Sequence, residues 1–233
     1  ECGNQNPESN FTAHSLILTP KIEMKINDIE IRSPYQGFYN AYNILAAVSL
    51  AKLAGIEDEI IQKAIANYEP RAGRMEQFEI DKRKVTLILV KNPTGLNQAL
   101  ATINTEPTPK AIFFALNDNV ADGRDISWIW DADIEQITAL DSNIEAIVCS
   151  GLRSGDIALR FKYADAQVDR IYIEDELQSG INKALSVAAD ATYILSTYTA
   201  LFVCRDILLK LQQESITSAD LIDQKQKSSE SQG

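Results

Sequence analysis

The first pattern along the chain is an alternation of apolar and polar residues. In "FTAHSLILT" (11–19) and "KIEMKINDIEIRSP" (21–34) the apolar positions recur with period two, and "IND" (26–28) interrupts the second run. Period two lays one face of a strand on a core and turns the other to water, so this opening predicts an antiparallel hairpin. The period then changes. "YNAYNILAAVSLAKLAG" (39–55) is apolar at helical spacing and stops at Gly55, and "EDEIIQKAIANY" (57–68) predicts a second, shorter helix closed by Pro70.

A third rhythm begins at residue 84. "KVTLILVKNP" (84–93), "KAIFFALND" (110–118), "IEAIVCSG" (144–151) and "RIYIE" (170–174) are short, continuous apolar runs that end in polar or Gly-rich turns, as doubly buried parallel strands do. Between them lie the helical segments "TGLNQALATI" (94–103), part of "ISWIWDADIEQIT" (126–138), "RSGDIALRFKYA" (153–164) and "LQSGINKALSVAA" (177–189). "TYILSTYTALFVCRDILLKLQQ" (192–213) supplies a late strand and a last helix. Strand alternating with helix predicts a doubly wound, Rossmann-like α/β domain whose working loops follow the C-terminal ends of the strands. The expected organisation is a first unit over 1–77, the α/β domain over 78–215, and a disordered polar tail over 216–233.

Composition narrows the function classes. A net charge of -11 with a pI near 4.6 excludes the clustered Lys and Arg that nucleic-acid binding needs. No apolar run approaches the ~20 residues of a membrane span and no charged-then-apolar leader opens the sequence, which predicts a cytoplasmic protein with no transmembrane segment. Cys149 and Cys204 sit in apolar runs and are expected as small buried hydrophobes. Cys2 differs: "ECGNQNPE" reads as the last knuckle of a structural zinc ribbon whose other ligands precede residue 1. With no initiator Met, the sequence is expected to be a fragment that begins just inside that metal site, where Cys2 alone cannot hold zinc.

Several stretches carry candidate chemistry. Asn40 and Asn43, three apart near a helix start, either face one ligand together or serve as caps. Arg71 and Arg74 flank Gly73, an arrangement that suits a phosphate or an exposed linker equally. Lys91-Asn92-Pro93, with Thr94 and Gly95, ends a strand and opens a helix, where a cation and backbone N–H groups meet an anion. The densest stretch is "NDNVADGRDISWIWD" (117–131), which sets Asp122, Asp125, Asp131 and Arg124 around Gly123 and runs into two tryptophans.

The order of these motifs is more specific than any one of them. Gly37-x-x-Asn40-x-x-Asn43 before an Ala-rich helix, then Gly73-Arg74-Met75-Glu76, then Asn92-Pro93-x-Gly95, resembles the end of the central domain and the start of the C-terminal domain of the Mur ligases. "LNDNVADGRDISWIWDADIE", "CSGLRSGDIALRFKYA" and "TYTAL" resemble the MurT branch, the ligase subunits of lipid II isoglutaminyl synthase that pair with a GatD-type glutaminase. The resemblance covers all but the tail. It implies an ATP- and Mg2+-dependent amide ligase that acts at the inner face of the cell membrane and converts D-glutamate of the lipid II stem peptide to D-isoglutamine with ammonia from a heterodimeric glutaminase partner. It also implies that Asn40 and Asn43 lie near adenine, Arg74 near the phosphates and Lys91 toward the cleft. The P-loop of the family, G-x-x-x-x-G-K-[ST], does not occur in these 233 residues, which leaves this chain only the second face of the nucleotide site. Amino-acid-adding Mur ligases tend to carry Asp-x-x-His-Asn-Pro where this chain has Ile88-Leu89-Val90-Lys91-Asn92-Pro93, and the loss of acid and histidine fits ammonia as acceptor.

A glutaminase needs a Cys nucleophile, a His base and a group that orients the His. The only histidine here is His14, far from the aspartate motif, so the motif is expected to lend a carboxylate to the partner's triad. Asp125 is favoured, aimed outward from the tryptophan anchor while partly shielded from water, and Asp122 is expected to hold the turn before Gly123. Two other readings stay open: an ordinary Mur or folylpolyglutamate-type ligase that adds an amino acid without a partner, and an inactive module that only binds a glutaminase.

Overall fold

The computed structural model describes residues 8–18, 21–68, 73–138 and 143–230, with side chains through 218. The chain divides into two compact units, Glu1–Pro70 and Arg71–Gly233.

In the first unit β1 (Ala13–Ile17), β2 (Ile22–Ile26) and β3 (Ile29–Ser33) form an antiparallel sheet in that order. Ile26 pairs with Ile29, so Asn27 and Asp28 are a two-residue turn at the break expected from the sequence. Asn27 takes φ 49°, a left-handed conformation that short polar side chains tolerate, and its amide bonds Thr12 N–H and Asn10 C=O. Ile22, Met24, Ile26, Ile29 and Ile31 present one face to Ala41, Ile44 and Val48 of α1 (Phe38–Leu53) and Ile61 of α2 (Asp58–Ala66). Gly55 follows α1 at φ 76° while the Ile56 N–H reaches back to Ala51 C=O, the left-handed stop that glycine permits.

The second unit is a six-stranded sheet of β4 (Arg74–Ile80), β5 (Arg83–Leu89), β6 (Lys110–Ala115), β7 (Ile144–Ser150), β8 (Ile171–Ile173) and β9 (Ala191–Ser196), ordered β4-β5-β9-β6-β7-β8. Every pairing is parallel except β4 with β5. β6 and β9 are buried at every residue, which accounts for their unbroken apolar runs. On one face α3 (Pro93–Asn104), α4 (Glu135–Thr138) and α5 (Ser154–Tyr163) contribute Leu96, Leu100, Ile137, Ile157 and Phe161 to the core; on the other α6 (Leu177–Ser186) and α7 (Tyr198–Glu230) contribute Ile181, Leu201, Cys204 and Leu208. This is a doubly wound α/β domain.

Two features depart from the expected organisation. The division falls at Pro70/Arg71 rather than at 77/78, because "RMEQFEI" is an edge strand of the second sheet; only Phe78 and Ile80 of it are fully buried, so it lacks the apolar run that marks the other strands. The stretch from 216, expected as a disordered tail, continues α7 to Glu230, and no Gly or Pro between 198 and 230 stops the helix.

Candidate functional site

In open α/β sheets ligands gather outside the C-terminal ends of the strands, and the aspartate motif lies there, leaving β6. The Asn117 N–H bonds Thr197 Oγ1 (3.0 Å), the Asn117 side chain donates to Thr199 Oγ1 (2.9 Å), and its Oδ1 accepts from Leu152 N–H (2.9 Å). Asn119 Nδ2 also donates to Thr199 Oγ1 (3.0 Å). Asp122 takes the Thr199 N–H on Oδ1 (2.7 Å) and the Thr199 hydroxyl on Oδ2 (2.6 Å), where Asn119 N–H also arrives (3.2 Å). One hydroxyl thus gives its proton to a carboxylate and receives two amide donors, the full capacity of a threonine side chain. The carboxylate sits at the start of α7, where the helix dipole favours negative charge. Gly123 follows at φ 86°.

Asp125 is exposed rather than partly shielded. Its Oδ1 accepts the Ser127 N–H at 2.8 Å, and the Ser127 hydroxyl and N–H together hold the carboxyl below the usual carboxylate range. The 3-10 turn Ser127–Trp130 comes next, with Ile129 fully buried and Ile126 and Trp128 packed on the core. Trp130 does not join them: it is exposed, edge-on to Tyr163, with Arg160 over its ring at 5.5 Å. Arg160, 4% exposed, donates to Ile129 C=O (3.0 Å) and Ala132 C=O (2.7 Å) and forks onto Glu135 (2.9 and 2.8 Å). Sequence reasoning missed this clasp. The available signal was a charge at a core-facing position between Ile157 and Phe161.

Beside the loop, Arg153 pairs with Asp118 (2.6 Å) and, across 3.8 Å, with Asp156, while Ser154 Oγ donates to Asp175 Oδ1 (2.6 Å). Gly151 at φ 84° lets the β7 turn approach: a Cβ there would lie 2.7 Å from Asn117 Oδ1 and 2.8 Å from Leu116 C=O.

The residues expected at a nucleotide divide between the units. Asn40 and Asn43 share α1 of the first unit, but neither caps it, because Gly37 (φ 87°) holds the cap position. The Asn40 amide donates to Gln36 C=O (2.9 Å), and Asn43 is exposed. Arg74 and Lys91 belong to the second unit and lie at the same end of β5, since Arg74 pairs with Ile88 and Lys91 follows Leu89. Both are exposed and make no ion pair among the described residues. The anion-binding turn expected after Lys91 is altered by its own cap: Asn92 Oδ1 accepts the Gly95 N–H at 2.7 Å, so that donor is not offered to a ligand. Arg71 and Cys2, with the zinc-knuckle stretch, lie outside the described residues. Among the described residues no group of three or more His, Cys, Asp or Glu is placed to hold a metal ion, and no helix is long and apolar enough to cross a membrane.

Comparison with known proteins places this loop in a family. Residues 89–201 match the MurT ligase C-terminal family. The chain is 34% identical over 213 residues to the lipid II isoglutaminyl synthase (glutamine-hydrolyzing) subunit MurT of Streptococcus pneumoniae, covering 91% of this chain and 47% of that protein. The Staphylococcus aureus subunit of the same name is 32% identical over 86% of this chain and 45% of its own length, so the chain spans about half the length of the curated relatives it matches. Among solved structures, MurF from Acinetobacter baumannii superposes with a TM-score of 0.68 at 13% identity, over 89% of this chain and 46% of MurF, which shows a shared fold. Within the second unit residues 89–201 are thus similar to the MurT ligase C-terminal family, and the chain as a whole is similar to about half of each curated MurT subunit.

Proposed function

We propose that this chain is part of an ATP-dependent amide ligase subunit that amidates the α-carboxylate of D-glutamate in the lipid II stem peptide, at the cytoplasmic face of the membrane. Ammonia comes from a GatD-type glutaminase bound as a heterodimer. The relatives' printed function, lipid II isoglutaminyl synthase, supports the substrate and the glutamine-hydrolysing assembly. Bound at such a site, Mg2+-ATP would supply a γ-phosphoryl group to the carboxylate with release of ADP, and attack of ammonia on the acyl phosphate would form the C–N bond with loss of a proton and of phosphate. Arg74 and Lys91, two cations at one end of β5 that make no ion pair among the described residues, fit the phosphates of such a nucleotide; the adenine roles of Asn40 and Asn43 follow from the resemblance alone. The described residues offer no set of ligands for zinc, and no step is assigned to it.

The observation that carries the reading is the exposed Asp125 carboxylate, set between a buried apolar anchor and a hydrogen-bonded turn, in a chain whose two described cysteines are both buried. Its only histidine, His14, is in the first unit and bonds Asn27 C=O; Cys149 and Cys204 are buried and their thiols are pushed up to about 12 by burial. A carboxylate that orients the partner's imidazole is what such a chain has to contribute. Asp122 suits that task less, because both its oxygens are bound to Thr199. An amino-acid-adding reaction is disfavoured because Ile88 and Lys91 stand where amino-acid-adding Mur ligases tend to carry the Asp and His of Asp-x-x-His-Asn-Pro. The test is Asp125→Asn in the full-length ligase with its glutaminase: glutamine-driven amidation is lost while externally supplied ammonia still supports amidation. Normal glutamine hydrolysis by the variant complex removes Asp125 from the triad.

A further inference from the structure

The loop that carries Asp125 has two moorings. On its far side are Ile126, Trp128 and Ile129, packed into the core. On its near side everything converges on Thr199, the second residue of α7: Asn117, Asn119 and Asp122 all bond its hydroxyl, and Asp122 also takes its N–H. Between the moorings Gly123 has nothing within 4 Å of where a Cβ would stand, and Arg124 is exposed, so neither restrains the backbone that aims Asp125. The carboxylate itself is tied to Ser127 at 2.8 Å, so its direction follows the Ser127 turn on the far side and the place where Thr199 holds the chain on the near side.

We propose that Thr199 is a positioning residue for the glutaminase half of the reaction, its hydroxyl gathering Asn117, Asn119 and Asp122 so that the loop presents Asp125 to the partner's histidine. The inference rests on the assignment of Asp125 above. A hydroxyl is required rather than bulk. Valine, of the same shape, would strip a donor from Asp122 and an acceptor from two amides at once, whereas serine preserves all three bonds. Thr197 extends the same tie one turn earlier by accepting the Asn117 N–H, and Ser196 C=O accepts the Val90 N–H next to Lys91.

The experiment uses the full-length ligase in complex with its glutaminase. In Thr199→Val the kcat for glutamine hydrolysis falls about 10- to 100-fold, the range for a misplaced catalytic group, with KM for glutamine unchanged because Asp125 acts through the histidine. The acid limb of the kcat profile moves to lower pH, since an imidazole deprived of its carboxylate is easier to deprotonate. Thr199→Ser restores turnover, and ammonia-driven amidation, which does not use the loop, is retained in both variants. Wild-type turnover in Thr199→Val, a serine variant as impaired as valine, or parallel loss of ammonia-driven amidation each overturns the proposal. Asp125→Asn, assayed alongside, separates the two readings. If it hydrolyses glutamine normally, the role of Asp125 falls and this inference with it; if it is inactive beside a normal Thr199→Val, only Thr199 is discharged.

Discussion

Replacing Arg160 with Ala tests whether the aspartate loop owes its footing to one buried guanidinium. The substitution removes the donors of two main-chain carbonyls, Ile129 and Ala132, and the fork onto Glu135. The two carbonyls lie at buried residues, so each loses roughly 1–3 kcal/mol when orphaned. The Trp130 contact adds about 0.5–1 kcal/mol at this exposed ring. The Glu135 end adds little, because its side chain is 52% exposed and water replaces the arginine. The expected destabilisation is therefore about 2.5–7 kcal/mol, read by urea unfolding followed through the two tryptophans. Glu135→Gln in the same assay shifts the midpoint far less. The pair also has a pH signature. Hydrogen bonding to Arg160 holds the Glu135 carboxyl below its ordinary value, so the folded state binds its proton less readily than the unfolded chain. That contribution is complete above the ordinary carboxylate range and fades as the pH falls through the lower, folded value; Arg160→Ala removes this dependence. A destabilisation below about 1 kcal/mol would show that the carbonyls find water and that the clasp does not hold the loop.

Two further substitutions probe the strand ends. Gly151→Ala forces a left-handed backbone on a residue with a Cβ and drives that Cβ to 2.7 Å from Asn117 Oδ1, so it is expected to lower stability by at least about 1–3 kcal/mol and to loosen the loop, visible as faster amide exchange over 117–126. Asn43→Ala and Arg74→Ala, made in the complete ligase, are each expected to raise KM for ATP by about tenfold, equivalent to one lost polar contact of ~1–3 kcal/mol, without changing the unfolding midpoint; unaltered ATP kinetics in both would detach these residues from the nucleotide.

The strands β5, β6, β7 and β9 were legible because a doubly buried strand has no polar face to interrupt its apolar run, the edge strand β8 because Ile171, Tyr172 and Ile173 are all apolar, and the β2–β3 hairpin because its alternation breaks at Asn27. β4 was not, since an edge strand with water on one side mixes Arg74, Glu76 and Glu79 with few apolar residues. At the candidate site, the aspartates stood out as a dense local motif. The partners that give them different roles did not: Thr199 lies 77 residues beyond Asp122, Arg160 lies 31 beyond Ile129, and local pattern carries no information about either meeting. The Asn92 cap was hidden in another way, since the same Asn-Pro-x-Gly composition serves an anion site or a helix start, and only the 2.7 Å bond to Gly95 decides.

The place of β9 has a consequence for biosynthesis. It is the last of the described strands, yet it lies between β5 and β6 and, among the described residues, is the sole hydrogen-bonded strand link between the β4-β5 ribbon and the β6-β7-β8 ribbon. Until residues 191–196 leave the ribosome, the growing domain therefore consists of two separate ribbons with apolar, unpaired edges where the sheet will later close. Insertion of β9 closes both edges in one event and carries Thr199 up to the aspartate loop directly behind it. A nascent chain halted before residue 191 is thus a substrate for chaperones or for aggregation, and the domain acquires its working loop only once β9 and the start of α7 have been made.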